Sequence, residues 1–209
     1  GNAGGSCVAS EPDSGLSRRP AERTGGTDRI MKTLKKSAGM LEVRASPLNR
    51  TRGVLSLGRI TVPCALGRSG IVMRKREGDG GTPVGRFELL HVYYRPDRGL
   101  PPATLLPTEP LTPASGWCDD PGHRLYNRPV QLPFAASHEK MWRDDRLYDI
   151  VVVLDCNLNP AVKGQGSAIF FHIARQGYSP TEGCVAVSPE HMRLILQNIG
   201  LGAEMVIHA

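Results

Sequence analysis

Aromatic residues are scarce in this chain, at 5% of the total, while glycine (24) and proline (17) are plentiful. Such a balance favours many turns joining short strands and argues against a helical bundle. The five cysteines, Cys7, Cys64, Cys118, Cys156 and Cys184, are odd in number and nowhere spaced as CxxC. A disulfide framework or a zinc ribbon needs paired, closely spaced sulfurs, so neither is expected, and at least one thiol is free unless it pairs between molecules. No stretch reaches the ~18 apolar residues of a membrane span. No apolar run of roughly 7–15 residues follows the early basic residues, so no signal peptide is read from this end. There is also no nucleic-acid motif and no platform of aromatic and basic side chains, so nucleic acid is not an expected partner.

What the sequence does have is unevenly spread charge and a change of character near Met40. Residues 1–76 hold 15 Lys and Arg against 5 Asp and Glu, and the remainder 11 against 15, within a net charge of +6. The excess of positive charge in the first third suits either a solvated segment or attraction to a polyanion. Residues 1–39 read as a flexible basic leader, native or added, rich in Gly, Ser, Pro and Arg. From 40 onward, segments 40–45, 53–57, 59–66 and 69–74 are short and rich in Val, Leu and Ile. Together with 86–94, 148–154, 168–174, 184–187 and 204–208 they predict a mainly β domain over 40–209. One helix is expected near the end: Ser188 suits an N-cap, Pro189 the first turn and Gly200 the stop. Met192, Ile195, Leu196 and Ile199 fall on one face of it.

Residues 95–147 break the pattern, with many prolines and few apolar runs. A loop of that length inside a compact domain is uncommon unless it serves a site, so it reads as a docked capping excursion. Trp117, Tyr126 and Asn127 are its candidate substrate contacts.

Two residues stand out chemically. Alternation along 168–174 places Phe170, His172 and Ala174 on one face and Ile169, Phe171 and Ile173 on the other, so His172 interrupts an apolar element. Nine residues on, Thr181-Glu182-Gly183-Cys184-Val185 reads as a turn into a strand. A thiol is mostly protonated at neutral pH, and a nearby imidazole can take its proton. Amides around a Gly-Cys turn can converge on a substrate oxygen, which makes Gly183 and Cys184 a candidate oxyanion hole. Tyr178, Ser179 and Thr181 are nearby hydroxyls able to orient substrate or His172. With no ligand-type spacing, a metal site is not expected.

At this point the residues resemble a family. DGGTPVGRF at 79–87 is similar to the Thr-Pro-x-Gly-x-Phe signature of L,D-transpeptidases with a YkuD-type catalytic domain. His172 matches their strand-then-histidine motif, and TEGCVA at 181–186 resembles Ser/Thr-His-Gly-Cys-Val-Arg. The chain departs where Glu182 replaces the second histidine and Ala186 the arginine, and its His-to-Cys gap is short. Arg175 is a candidate substitute for that arginine.

The resemblance implies a YkuD-like β-sandwich of mixed sheets with a long capping loop and one short C-terminal helix. It also implies an acyltransferase that needs no cofactor and acts on peptidoglycan stem peptides in the periplasm or cell wall. Cys184 would attack the carbonyl after diaminopimelate with His172 as base, release D-alanine and pass the acyl group to another stem as a cross-link. Carbapenems acylate the cysteine of this family. An L,D-carboxypeptidase or peptidoglycan hydrolase would use the same thioester, and a non-catalytic polyanion-binding module would not need it. A monomer is expected.

Overall fold

A computed structural model describes residues 38–209; the proposed leader at 1–39 lies almost wholly outside them. The chain forms strands β1 (Met40–Ser46), β2 (Asn49–Leu57), β3 (Ile60–Ala65), β4 (Ile71–Val72), β5 (Thr82–Pro83), β6 (Gly85–Tyr94) and β7 (Thr108–Pro110). These are followed by β8 (Ser115–Cys118), β9 (Arg128–Gln131), β10 (His138–Lys140), β11 (Ile150–Leu154), β12 (Phe170–Ile173) and β13 (Val185–Val187). Helix α1 (Pro189–Gln197) and strand β14 (Glu204–Ile207) end the chain. The fold is mainly β with mixed sheets and, among the described residues, one helix, as the sequence predicts.

Nine strands form one sheet in the order β11-β12-β13-β3-β2-β1-β14-β6-β7. Because β6 pairs with both β14 and β11, the ladder turns back on itself and encloses the main core. Leu41, Val43, Leu55, Val152, Phe171, Val185 and Ile207 fill it. β11 is buried along its whole length, as expected of five β-branched or aliphatic residues in a row. Helix α1 begins as its sequence dictates: Ser188 Oγ accepts the His191 N–H at 3.2 Å, and Pro189 occupies the first turn. Met192, Ile195 and Leu196 turn its apolar face into the same core.

The 95–147 segment is less irregular than its composition suggests. It contains β7 and a separate three-stranded sheet, β10-β8-β9. That sheet lies against the outer face of β11 and β12, where Leu111, Trp117, Met141, Tyr148, Val151, Val153 and Phe170 form a second apolar cluster. Trp117 meets Phe170 edge-to-face at 5.1 Å between ring centroids. Arg95, almost fully buried, pairs with Asp97 and stacks its guanidinium 3.7 Å from the Trp142 ring centre. Arg98 donates to the carbonyls of Asp145 (2.9 Å), Arg143 (3.1 Å) and Asp144 (2.9 Å). These two arginines clip the 142–146 turn in place, so the excursion is docked.

Candidate active site

Strand β12 lies between β11 and β13, with His172 opposite Val151 on one side and Ala186 on the other. Ile169, Phe171 and Ile173 point into the main core, whereas Phe170 joins the outer cluster together with Cys184. His172 shares that outer side. Its ring Nδ1 lies 2.8 Å from the Ile173 carbonyl. A carbonyl only accepts, so Nδ1 carries the proton and Nε2 keeps its lone pair. The Tyr148 ring stands edge-on to the imidazole at 5.4 Å.

The turn carrying Cys184 is fixed from behind. Thr181 pairs with the chain just beyond β3, through Thr181 N–H to Leu66 O (2.9 Å) and Arg68 N–H to Thr181 O (2.8 Å). The Thr181 hydroxyl donates to the Cys184 carbonyl at 2.7 Å and accepts the Gly183 N–H at 3.2 Å. Gly183 has φ +134°, and a Cβ there would stand 2.8 Å from the Gly81 carbonyl. Gly81 immediately precedes buried Thr82, whose Oγ1 accepts the Gly67 N–H at 2.8 Å. The Thr-Pro segment noted in the sequence therefore acts structurally, as the wall against which the cysteine turn is pressed. Cys184 Sγ donates to Ala168 O and accepts from Phe170 N–H, each at 3.3 Å. Among the hydrogen bonds of the described residues, none joins Cys184 directly to His172.

Both residues line one cleft of about 360 Å³, together with Arg175, Ser179 and Thr181. The same cleft is lined by residues that sequence reasoning did not single out, among them Lys75, Glu77, Glu139, Arg143, Tyr148 and Ser167. Arg143 is the hub among these, with Nε and Nη2 on Asp145 and Nη1 on Glu139, all at 2.8 Å. Tyr148 adds its hydroxyl to the same Glu139 oxygen at 3.3 Å.

Tyr178 (φ +55°) sits in the turn after Arg175 and is not part of the cleft lining. Trp117, Tyr126 and Asn127 are not part of it either; all three are buried. Trp117 Nε1 donates to Asn127 Oδ1 at 2.9 Å, which also receives the Ala168 N–H at 3.0 Å. Tyr126 and Ser167 donate their hydroxyls to Glu77. In this geometry the three buttress the 167–168 segment that cradles the Cys184 sulfur. Glu182, in place of a signature histidine, is 78% exposed and pairs with Arg68 at 2.7 Å. Cys64, Cys118 and Cys156 are buried free thiols elsewhere.

Burial sets the proton balance of the pair. Desolvation pushes the Cys184 thiol up to about 12. Desolvation lowers His172 to about 4, and the charges of Arg143 and Arg175 act in the same direction. At neutral pH the resting pair is an uncharged thiol and an uncharged imidazole. Stability follows with a definite sign. Between pH ~6.5 and ~4 the unfolded chain protonates His172 while the native one does not, so stability falls as pH drops through that window. Holding His172 down at about 4 corresponds to about 3 kcal/mol. Above pH 9 the native Cys184 keeps its proton while the unfolded one loses it, so stability falls again as pH rises. Urea unfolding across pH should show a plateau between these limits. His172→Leu should flatten the acid limb relative to the unsubstituted protein, and parallel acid limbs would contradict this.

Among the described residues, no group of three or more His, Cys, Asp and Glu is arranged to hold a metal ion. No helix among them is long and apolar enough to cross a membrane.

The profile of the YkuD family, the L,D-transpeptidase catalytic domain, matches residues 50–207, and the chain belongs to that family. No curated protein is significantly similar in sequence. Among solved structures, the chain is similar to an L,D-transpeptidase from Mycobacterium smegmatis. There the identity is 12% and the TM-score 0.37, over 82% of this chain and 59% of that one. It is also similar to L,D-transpeptidase 1 of Mycobacterium tuberculosis, with 14% identity and a TM-score of 0.34, over 81% of this chain and 62% of that one. The chain thus spans about three-fifths of the length of these two structures.

Proposed function

We propose that this chain is a cysteine-dependent L,D-transpeptidase that acts on peptidoglycan stem peptides in the periplasm or cell wall. The observation that carries the reading is the placement of Cys184 and His172 on one cleft, with the cysteine on a turn whose φ of +134° favours glycine at position 183.

Because the resting thiol holds its proton, His172 acts as a general base during attack and not as a preformed ion-pair partner. As the Cys184 sulfur bonds to the carbonyl carbon after diaminopimelate, its proton passes to His172 Nε2. The amides of Gly183 and Cys184 receive the developing oxyanion; Gly183 N–H leaves its long bond to Thr181 to do so. The C–N bond then breaks, and His172 returns the proton to the departing amine of D-alanine. An amine of a second stem attacks the thioester and gives a proton to His172; the C–S bond breaks, and His172 returns that proton to the departing sulfur to restore the thiol. The product is a cross-link. Water in place of that amine would give carboxypeptidase or hydrolase chemistry. Ser179 and Thr181, which line the cleft, are the proposed polar contacts for the peptide backbone.

Purified tetrapeptide and dimeric muropeptides, incubated with the protein and read by mass, test the proposal. Cross-linked dimer appearing with released D-alanine is the expected result. D-alanine release without dimer would reassign the acceptor to water. No consumption of either substrate would refute the proposal.

A further inference from the structure

The register between β12 and β13 sets Ala186 beside His172, so this strand contributes a methyl group where the family signature carries a guanidinium. Positive charge reaches the cleft from other elements, through Lys75, Arg143 and Arg175. Two of the three are already engaged. The Lys75 side chain is only 9% exposed and its ammonium is held by Asp79 and by the Arg76 carbonyl. Arg143 spends both edges of its guanidinium on Asp145 and Glu139.

Arg175 is different. It follows His172 by three residues at the exit of β12 and is 52% exposed. Its one ion pair among the described residues runs from Nη2 to Asp145 Oδ2 at 3.4 Å, the oxygen that Arg143 already holds at 2.8 Å. Most of its five N–H donors are therefore unspent, in a planar fork that matches a carboxylate.

We propose that Arg175, set against Arg143 across the shared Asp145, binds the free carboxylate of the residue that leaves, replacing the arginine absent at position 186. This rests on the thioester reading above and narrows it. The carboxylate that Arg175 reads is that of the single residue released in the reaction proposed above. The same contact assists the chemistry. Arg143 and Arg175 both oppose protonation of His172. A substrate carboxylate on Arg175 offsets that repulsion at the moment His172 accepts the thiol proton. The gain then belongs in the rate of acylation as well as in binding.

Two donor peptides test this: a tetrapeptide stem with a C-terminal carboxylate and the same stem as its C-terminal carboxamide. Acylation of Cys184 is followed by intact-protein mass over single turnovers. The unsubstituted protein is expected to acylate about 10-fold or more faster with the acid, the lower range for a charge-assisted contact at a half-exposed site. Arg175→Gln is expected to bring the acid-to-amide ratio close to one, and Arg175→Lys to keep part of it. A ratio near one in the unsubstituted protein, or one preserved in Arg175→Gln, overturns the proposal while leaving the thioester reading intact. Failure of both peptides to acylate Cys184 overturns both.

Discussion

Replacing Cys184 by alanine should reduce D-alanine release from a tetrapeptide stem to background, a loss on the order of 10⁴-fold or more. The size follows from the role. In the proposed reaction the sulfur forms the bond that divides one difficult acyl transfer into two easier ones, and no other residue lining the cleft carries a thiol. Cys184→Ser should fall nearly as far, although serine can keep bonds like those to Ala168 O and Phe170 N–H. Its hydroxyl holds its proton more tightly than the thiol, and one neutral imidazole must remove it. Neither change should unfold the protein, since each 3.3 Å bond to the sulfur is weak. His172→Ala should lose roughly 10²- to 10⁴-fold, the usual span for a general base. Steady-state release of D-alanine measures all three, with unfolding midpoints as the control. More than 1% residual activity in Cys184→Ala would contradict the assignment.

The second large effect is expected at Gly183. Its φ of +134° is one that L side chains rarely adopt, and an alanine Cβ would sit 2.8 Å from a backbone oxygen in the wall behind it. Strain and overpacking together cost about 2–5 kcal/mol. For a domain of this size that lowers the unfolding midpoint by roughly 5–15 °C. Activity should be lost with it, because the turn that yields to Gly81 is the one that carries Cys184. Gly177→Ala is the informative comparison. Gly177 has φ +76° but open space where its Cβ would lie, so only the left-handed conformation costs, about 1 kcal/mol. Calorimetry on the two variants separates them, and equal shifts would contradict the clash at Gly183.

How much of this could be read in advance depended on whether a feature announces itself locally. Strand β11 is a run of aliphatic and β-branched residues, β1 alternates buried Leu41 and Val43 with more exposed neighbours, β12 is apolar apart from His172, and α1 carries its own N-cap and apolar face, so sequence pattern sufficed. Strands β8, β9 and β10 have three or four residues among prolines and polar side chains, and only their pairing with one another makes them strands. Cys184 and His172 could be singled out because glycine before the thiol and an imidazole within an apolar strand are both anomalies. Arg143 and Glu139 carry no such mark. They reach the cleft because Arg95 and Arg98, more than forty residues earlier, grip the carbonyls of the turn that holds Arg143. Trp117 and Asn127 looked like ligand contacts for the opposite reason. An indole and an amide in a polar segment suggest an exposed site, whereas here each satisfies the other's hydrogen bond in the interior.

Carbapenem labelling followed by intact-mass and peptide mapping tests the central claim most directly. Thioester chemistry at this site predicts a single adduct, on Cys184, absent in Cys184→Ala and formed more slowly in His172→Ala. An adduct on Cys64, Cys118 or Cys156, or no adduct on protein that releases D-alanine, would contradict it.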